Sequence, residues 1–278
     1  MLKQRVITAV VLLALLLPAL FAAKVWPLAA LTLVAVAAAG WEWARLNQWQ
    51  GLAAIGTGAL VAVAGAVAWV FGWTQAAPSS AWWLASAIWM FGGAWVLRAG
   101  VPAWPRIPRL LRWAIGCVAL WSAWLALSCA KAMGTNFLLS VFCLVWVADI
   151  AAYFGGRAFG KRKLAPTISP GKSWAGVFSG MLGVLVLALA WIAIDQRVAV
   201  DSPSLYTQLQ GTWGWVGMLA CLALLSAMSV VGDLFESLVK RAAGAKDSSQ
   251  LLPGHGGVLD RVDALLPVFP LALALTLV

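Results

Sequence analysis

The residues of this 278-residue chain that could do chemistry are few and carboxylate-rich. Asp233, Glu236 and Lys240 recur at helical spacing, as do Asp260 and Asp263, so each set lines one face of its helix. The loop 241–257 joins the two sets and lets those faces meet. Carboxylates with little sulfur or imidazole nearby suit magnesium or a similar hard cation. The alternative is a structural ion-pair cluster with Lys240, Arg241 and Arg261.

Between the two sets lies LLPGHGGVLDRVDALLP, residues 251 to 267, which holds the only histidine of the chain. Gly254, Gly256 and Gly257 free the backbone for a tight turn beside a ligand, and His255 adds a titratable or hydrogen-bonding group. A second polar island, RAFGKRKLAPTISPGKSWAG at 157–176, carries five basic residues. Ser169, Pro170, Gly171, Lys172 and Ser173 stand just before a predicted helix, whose unpaired N–H groups and neighbouring lysine make a phosphate cradle. It is not a Walker A loop, because Pro166 stands where the first glycine would be and no hydrophobic strand precedes it.

The elements that must position these groups are membrane helices. Mean hydropathy is +0.93 and only 10% of residues are charged, too little polar surface for a water-soluble domain of this size. Apolar stretches long enough to cross a hydrocarbon core of about 30 Å must be helical, so that every backbone group bonds internally. The pattern predicts an all-α, polytopic protein with about nine spans, at 5–23, 26–46, 52–72, 81–98, 112–131, 134–154, 174–194, 211–238 and 258–278. The first could alternatively be a cleaved signal peptide. Residues 1–133 form an N-terminal helical part for packing, lipid access and a dimer contact. Residues 134–278 form the chemistry-bearing part, with loops 155–173 and 241–257.

Threading nine spans with the N-terminus in the cytoplasm puts 16 of the 19 basic residues on the cytoplasmic side and leaves Lys24, Lys131 and Arg197 opposite. That fits the positive-inside rule, so the net charge of +10 needs no nucleic-acid partner. Asp195 and Asp201 fall in an outer loop; the other seven acids, Glu42 and Asp149 among them, lie towards the cytoplasmic face. Cys117, Cys129, Cys143 and Cys221 fall inside spans without zinc-site spacing and read as small core residues. Tryptophan pairs such as Trp41 with Trp43, and Trp82 with Trp83, sit near span ends, where indole favours the headgroup layer.

The unit from Ser237 to Asp263, SLVKRAAGAKDSSQLLPGHGGVLDRVD, resembles the signature of the phosphatidate cytidylyltransferases, or CDP-diacylglycerol synthases. The upstream DIAAYFGGRAFGKRKLAPTISPGKSW is similar to that family's second block, with one departure: Ala175 follows Trp174 where relatives commonly carry glutamate. The resemblance implies that CTP and phosphatidic acid give CDP-diacylglycerol and pyrophosphate, with magnesium, and a potassium ion beside it, at the inner membrane of a bacterium. It further implies a homodimer.

On that resemblance Asp233 and Asp260 are first choices as metal ligands and Asp247 and Asp263 next, with Asp149 and Glu236 as outer partners. Lys172, Lys240, Arg241, Lys246 and Arg261 are assigned to triphosphate or lipid phosphate, with Ser169, Ser173, Gly256 and Gly257 lining the phosphate site. His255 orients phosphate or a metal-bound water. The rival from another class is a transporter that uses intramembrane carboxylates for ion or proton coupling. A CDP-alcohol phosphotransferase is disfavoured, since the DGxxAR block is missing from the sequence.

Overall fold

The structure, a computed structural model, describes residues 2–277; the side chains of Leu2, Lys3 and Arg5 are outside that description, so the expected cytoplasmic placement of the amino terminus rests partly on residues outside it. Among the described residues eight helical segments precede the C-terminal part of the chain. They are α1 (Leu2–Phe21), α2 (Trp26–Leu46), α3 (Gly51–Val70), a rod over Ser79–Ala99, α6 (Arg109–Met133), α7 (Thr135–Phe159), α8 (Trp174–Asp195) and α9 (Leu205–Ala242). The rod comprises α4 (Ser79–Ala87), a π-helical stretch Ile88–Gly93 and α5 (Ala94–Ala99), and a 3-10 segment Val101–Arg106 follows it. Seven helices are long and apolar enough to cross a membrane, and α1 adds a shorter apolar stretch, Val6–Phe21.

The predicted ninth span differs. Residues 258–278 resolve into a single turn, α10 (Leu259–Val262), and a 12-residue helix, α11 (Leu265–Thr276). At 1.5 Å per residue α11 is about 18 Å long, too short to span. Asp260 and Asp263 are drawn into a polar cluster, so the apolar helix starts only at Leu265. Every residue from Leu266 to Leu275 is buried, and α11 packs against α4, α6 and α9 as the central peg of the bundle.

Small residues set the closest helix contacts. Gly176, Gly180 and Gly183 on α8 face Ala152, Ala148 and Ala151 of α7, and Gly40 of α2 faces Gly58 of α3, so these backbones approach as small-residue interfaces in membranes do. In α9 the backbone breaks at Gly214 (φ 65°, ψ −178°), a left-handed conformation open to glycine, and the helix restarts in a new direction. Trp213 on that kink donates its Nε1–H to the carbonyl of Leu275, near the end of α11, at 2.9 Å.

The tryptophans depart from the headgroup expectation. Trp43 and Trp82 are buried, as are Trp104 and Trp124, whereas Trp83 is exposed. Trp43 stacks on Phe235 at a centroid distance of 5.9 Å and donates to the carbonyl of Arg112, where Gly116 leaves room for its ring. All four cysteines are free; Cys129 and Cys221 are buried and the other two half-buried.

The two ends of the bundle are chemically distinct. At one end Lys131 donates to the carbonyl of Leu20 and to Thr135, while Asp195 and Asp201 gather Asn136, Ser202, Ser204 and Thr207. Asp201 accepts the backbone N–H groups of Thr135 (2.6 Å) and Asn136 (2.9 Å) and so caps α7. Burial works to raise its carboxyl, but those N–H donors outweigh it and hold the group below its usual value of 3.8. A depressed folded value means a contribution present above the unfolded pKa and lost as pH falls through the folded one. Asp201→Asn should therefore destabilise the protein by about 0.5–2 kcal/mol at neutral pH. Thermal unfolding in detergent should show that deficit shrinking below about pH 4, and a deficit unchanged with pH would remove the charge from this account.

Candidate functional site

The other end of the bundle holds the chemistry. α7 runs to Phe159, and the polar island that follows folds into a two-stranded antiparallel hairpin, β1 (Lys163–Ala165) and β2 (Ser169–Ser173). Lys163 pairs with Ser173, and α8 starts at the next residue. Ser173 is the N-cap: its hydroxyl accepts the N–H of Gly176 at 3.2 Å. The oxygen caps the helix start as an acceptor, which leaves the O–H as the donor for the phosphate role expected of Ser173. Ser169 is half-buried on β2.

Between the hairpin and helices α7, α8 and α9 opens a cavity of about 810 Å³, in the size range of small-molecule sites. Asp149, Tyr153 and Arg157 of α7, Lys161, Lys163 and Lys172 around the hairpin, and Asp233 of α9 line it. Lys172 reaches across to Asp233, with Nζ to Oδ2 at 2.6 Å, and Ser237 donates to Asp233 Oδ1 at 3.3 Å. Asp149, Arg157, Lys161 and Lys163 sit on elements separated in sequence from the Ser237–Asp263 signature; the density of basic residues at 157–163 was the signal for the last three.

Behind this cavity lies an ionic knot. Lys240 is bracketed by Glu236, one helical turn earlier, and by Asp260 of α10, with Nζ to Oδ1 at 2.6 Å. Asp260 Oδ2 accepts three more bonds, from Ser248 N–H (2.9 Å), Ser248 hydroxyl (2.9 Å) and Gly257 N–H (2.8 Å). Burial alone would raise the Asp260 carboxyl, yet the Lys240 ammonium and these N–H donors hold it well below the ordinary carboxylate range. Glu236 is buried, and its Oε1 has no hydrogen-bond partner. Asp263 lies close enough to feel the charges of Asp233 and Lys240 and accepts the N–H of Ala264 at 2.7 Å.

The glycines of the signature serve this knot. Gly254 and Gly256 have φ of 78° and 82°, the left-handed region, which turns the chain tightly around His255. A side chain at Gly257 would collide with Ser248 and Glu42. Gly257 directs its N–H to Asp260 at 2.8 Å. The ammonium of Lys240 is enclosed by two carboxylates, Glu236 and Asp260. Arg261 donates to the carbonyl of His255 (2.6 Å), and Arg241 to those of Ala245 and Ile168, the second of which joins α9 to the hairpin. His255 Nδ1 is buried without a partner. Lys246 and Asp247 line a separate cavity with Arg45 and Trp49, and Asp247 borders Gly256 next to Asp260. Among the described residues no three histidine, cysteine or acidic side chains are already arranged to hold a metal ion.

The sequence places Glu42 among the acids of the cytoplasmic side but gives it no role; it is fully buried near the end of α2. Its carboxylate accepts the hydroxyls of Ser248 and Ser249 and the backbone N–H groups of Val258 (2.9 Å) and Leu259 (2.7 Å), pinning both ends of the 248–259 loop. The only signal was an acid in an otherwise apolar span.

The sequence model of the cytidylyltransferase family matches residues 3–278. The chain belongs to the cytidylyltransferase family. Among its relatives, a phosphatidate cytidylyltransferase of Pseudomonas aeruginosa is 38% identical over 99% of this chain and 97% of that protein. One of Haemophilus influenzae is 50% identical over 49% of this chain and 44% of that protein, and one of Brucella suis is 48% identical over 48% and 43%. For this family member, the Glu42 clamp yields a direct expectation. Glu42→Gln keeps the shape but turns one acceptor oxygen into a donor facing donors, so it should cost about 1–3 kcal/mol. Hydrogen exchange at Val258 and Leu259 should accelerate while the Asp201 end is unaffected; unchanged exchange would show that the clamp is dispensable.

Proposed function

We infer that this membrane enzyme transfers the cytidylyl group of CTP to phosphatidic acid, giving CDP-diacylglycerol and pyrophosphate for phospholipid biosynthesis. The observation that carries the reading is the 810 Å³ cavity with the Lys172–Asp233 pair in its wall and lysines 161 and 163 beside it, in a chain similar almost end to end to a protein of that name. In this reading the cavity faces the cytoplasm of a bacterial inner membrane, because the basic residues crowd that end and CTP is soluble. The homodimer implied by the resemblance belongs to the same proposal.

The chain's own residues supply positioning and charge. Arg157, Lys161 and Lys163 neutralise the triphosphate at the cavity wall, and Lys172 moves from Asp233 to a phosphate oxygen as substrate enters. A lipid phosphate oxygen bonds to the α-phosphorus of CTP while the bond to the β-bridging oxygen breaks, and pyrophosphate leaves with that electron pair. The phosphate monoester has a second pKa of about 6, so the nucleophile is already ionised at pH 7 and needs no strong base. His255 acts as a positioning residue.

The metal of this reading is magnesium, with potassium beside it as the resemblance implies, and the residues proposed to hold it are acidic. Their donors are hard carboxylate oxygens, Asp233 and Asp263 feel each other's charge, and Glu236 Oε1 is a buried acceptor without a partner. Asp233 and Asp260 would hold the metal, Lys172 and Lys240 yielding their places, with Asp263 as a further candidate. A bound divalent cation supplies charge neutralisation to the transferring phosphoryl group.

Purified protein given labelled CTP, phosphatidate and magnesium should form labelled CDP-lipid. Asp233→Asn and Asp260→Asn should each lower that rate by about 100-fold, compared at a temperature where both variants are folded because Asp260→Asn also strips a partner from buried Lys240 and should lower the unfolding temperature; His255→Gln should lower the rate only in part. Full activity in both aspartate variants would refute the ligand assignment. No labelled lipid from the unaltered protein would return the argument to transport.

A further inference from the structure

On the opposite side of α9 lies a second large cavity, an apolar groove of about 750 Å³ between the Ser79–Ala99 rod and α6. We propose that this groove binds a non-reacting lipid with an anionic headgroup, its acyl chain lying along the groove and its phosphate paired with Arg106.

The groove has the dimensions and polarity of an acyl-chain site. On α6 it extends from Leu111 to Ser122, about 16 Å of membrane depth. Its walls are apolar, and Phe235 of α9 lies at its base. The rod is π-helical where it faces the groove, and open space surrounds Gly92 at that point. The wider turn keeps the rod from closing onto α6, and π-helical turns recur at functional sites.

The charge at the mouth identifies the ligand. Arg106 lines the groove, is exposed, and has no ion pair or side-chain hydrogen bond among the described residues. Its neighbours are committed: Arg109 to the carbonyl of Gln48 and the face of Trp49, Arg112 to the carbonyl of Ile107. One free guanidinium at the headgroup end of an apolar groove matches a lipid phosphate, which a planar fork of N–H donors grips well.

The lipid held there is distinct from the one that reacts. Asp233 lines the catalytic cavity and Phe235 the groove; two residues along a helix is about 200° of rotation, so the two sites sit back to back across α9. Phe235 is caged by Trp43, Trp89 and Trp104 at 5.3–5.9 Å, and Trp89 is itself a groove wall. A chain in the groove therefore bears on the aromatic layer that backs the carboxylates.

The test uses the full chain in nanodiscs of phosphatidylcholine with minor fractions of phosphatidylglycerol and diacylglycerol, and native mass spectrometry to count retained lipid. The unaltered protein should keep phosphatidylglycerol through delipidation. Arg106→Gln should reduce that retention by about tenfold, the loss of one charge-assisted contact, while leaving diacylglycerol retention unchanged. Ala114→Trp, which fills the groove, should abolish both. Equal phosphatidylglycerol retention in the unaltered protein and Arg106→Gln would overturn the proposal. So would a tenfold rise in KM for phosphatidate in Arg106→Gln at unchanged kcat, which would make the groove the site of the reacting lipid. Cross-links between Val118 of two copies would overturn it too, by showing the groove covered by protein. Lipid retention is read without CTP, so its failure is separable from failure of the cytidylyl-transfer reading.

Discussion

The arrangement depends on keeping several carboxylates charged inside an apolar bundle. An acid at the bilayer centre costs about 2.5–3.5 kcal/mol on insertion scales, and several together repel one another. The protein answers with two buried or half-buried ammonium groups, Lys240 between Glu236 and Asp260, and Lys172 on Asp233. Breaking such a pair leaves an uncompensated charge, which is far worse than never having made it. The hairpin exists to carry Lys172 to α9, and the glycine turn around His255 exists to carry Asp260 to Lys240.

Both ends of the bundle use one further device. A carboxylate distant in sequence accepts consecutive backbone N–H groups at the start of a helix: Asp201 at α7, Glu42 at α10. Each joins segments that hydrophobic packing alone would leave free to slide, because in a bilayer apolar helix faces have little preference between one another and lipid. Directional bonds supply the register.

Much of this was legible in the sequence, and the residues show why. The span 26–46 coincides with α2, and 174–194 nearly with α8, because long apolar runs in a membrane leave helix as the only solution. The facing of Lys240 and Asp260 followed from helical spacing and a short loop. Hydropathy failed at 258–278, where it counts residues but is blind to a helix packed wholly against protein. It failed again for Trp43 and Trp82, which take core positions that lie close to span ends. The clamp made by Glu42 was hidden because its partners are about 206 to 217 positions away, and no local pattern encodes that distance. Ser173 and Gly257 were recognised as important, but their contacts to the start of α8 and to Asp260 were not legible, since sequence does not say which N–H or hydroxyl bonds to its own chain.

The shortness of α11 has a consequence for how the protein meets bilayers of different thickness. A spanning helix answers a mismatch with the hydrocarbon layer by tilting or by deforming the lipid around it. α11 is enclosed by α4, α6 and α9, and its last turn is held by Trp213 instead of by headgroups. Outer helices can lean to suit a thicker or thinner membrane while this inner strut keeps Asp263 and its neighbours at constant depth, so the reacting layer is mechanically shielded from the lipid that surrounds it.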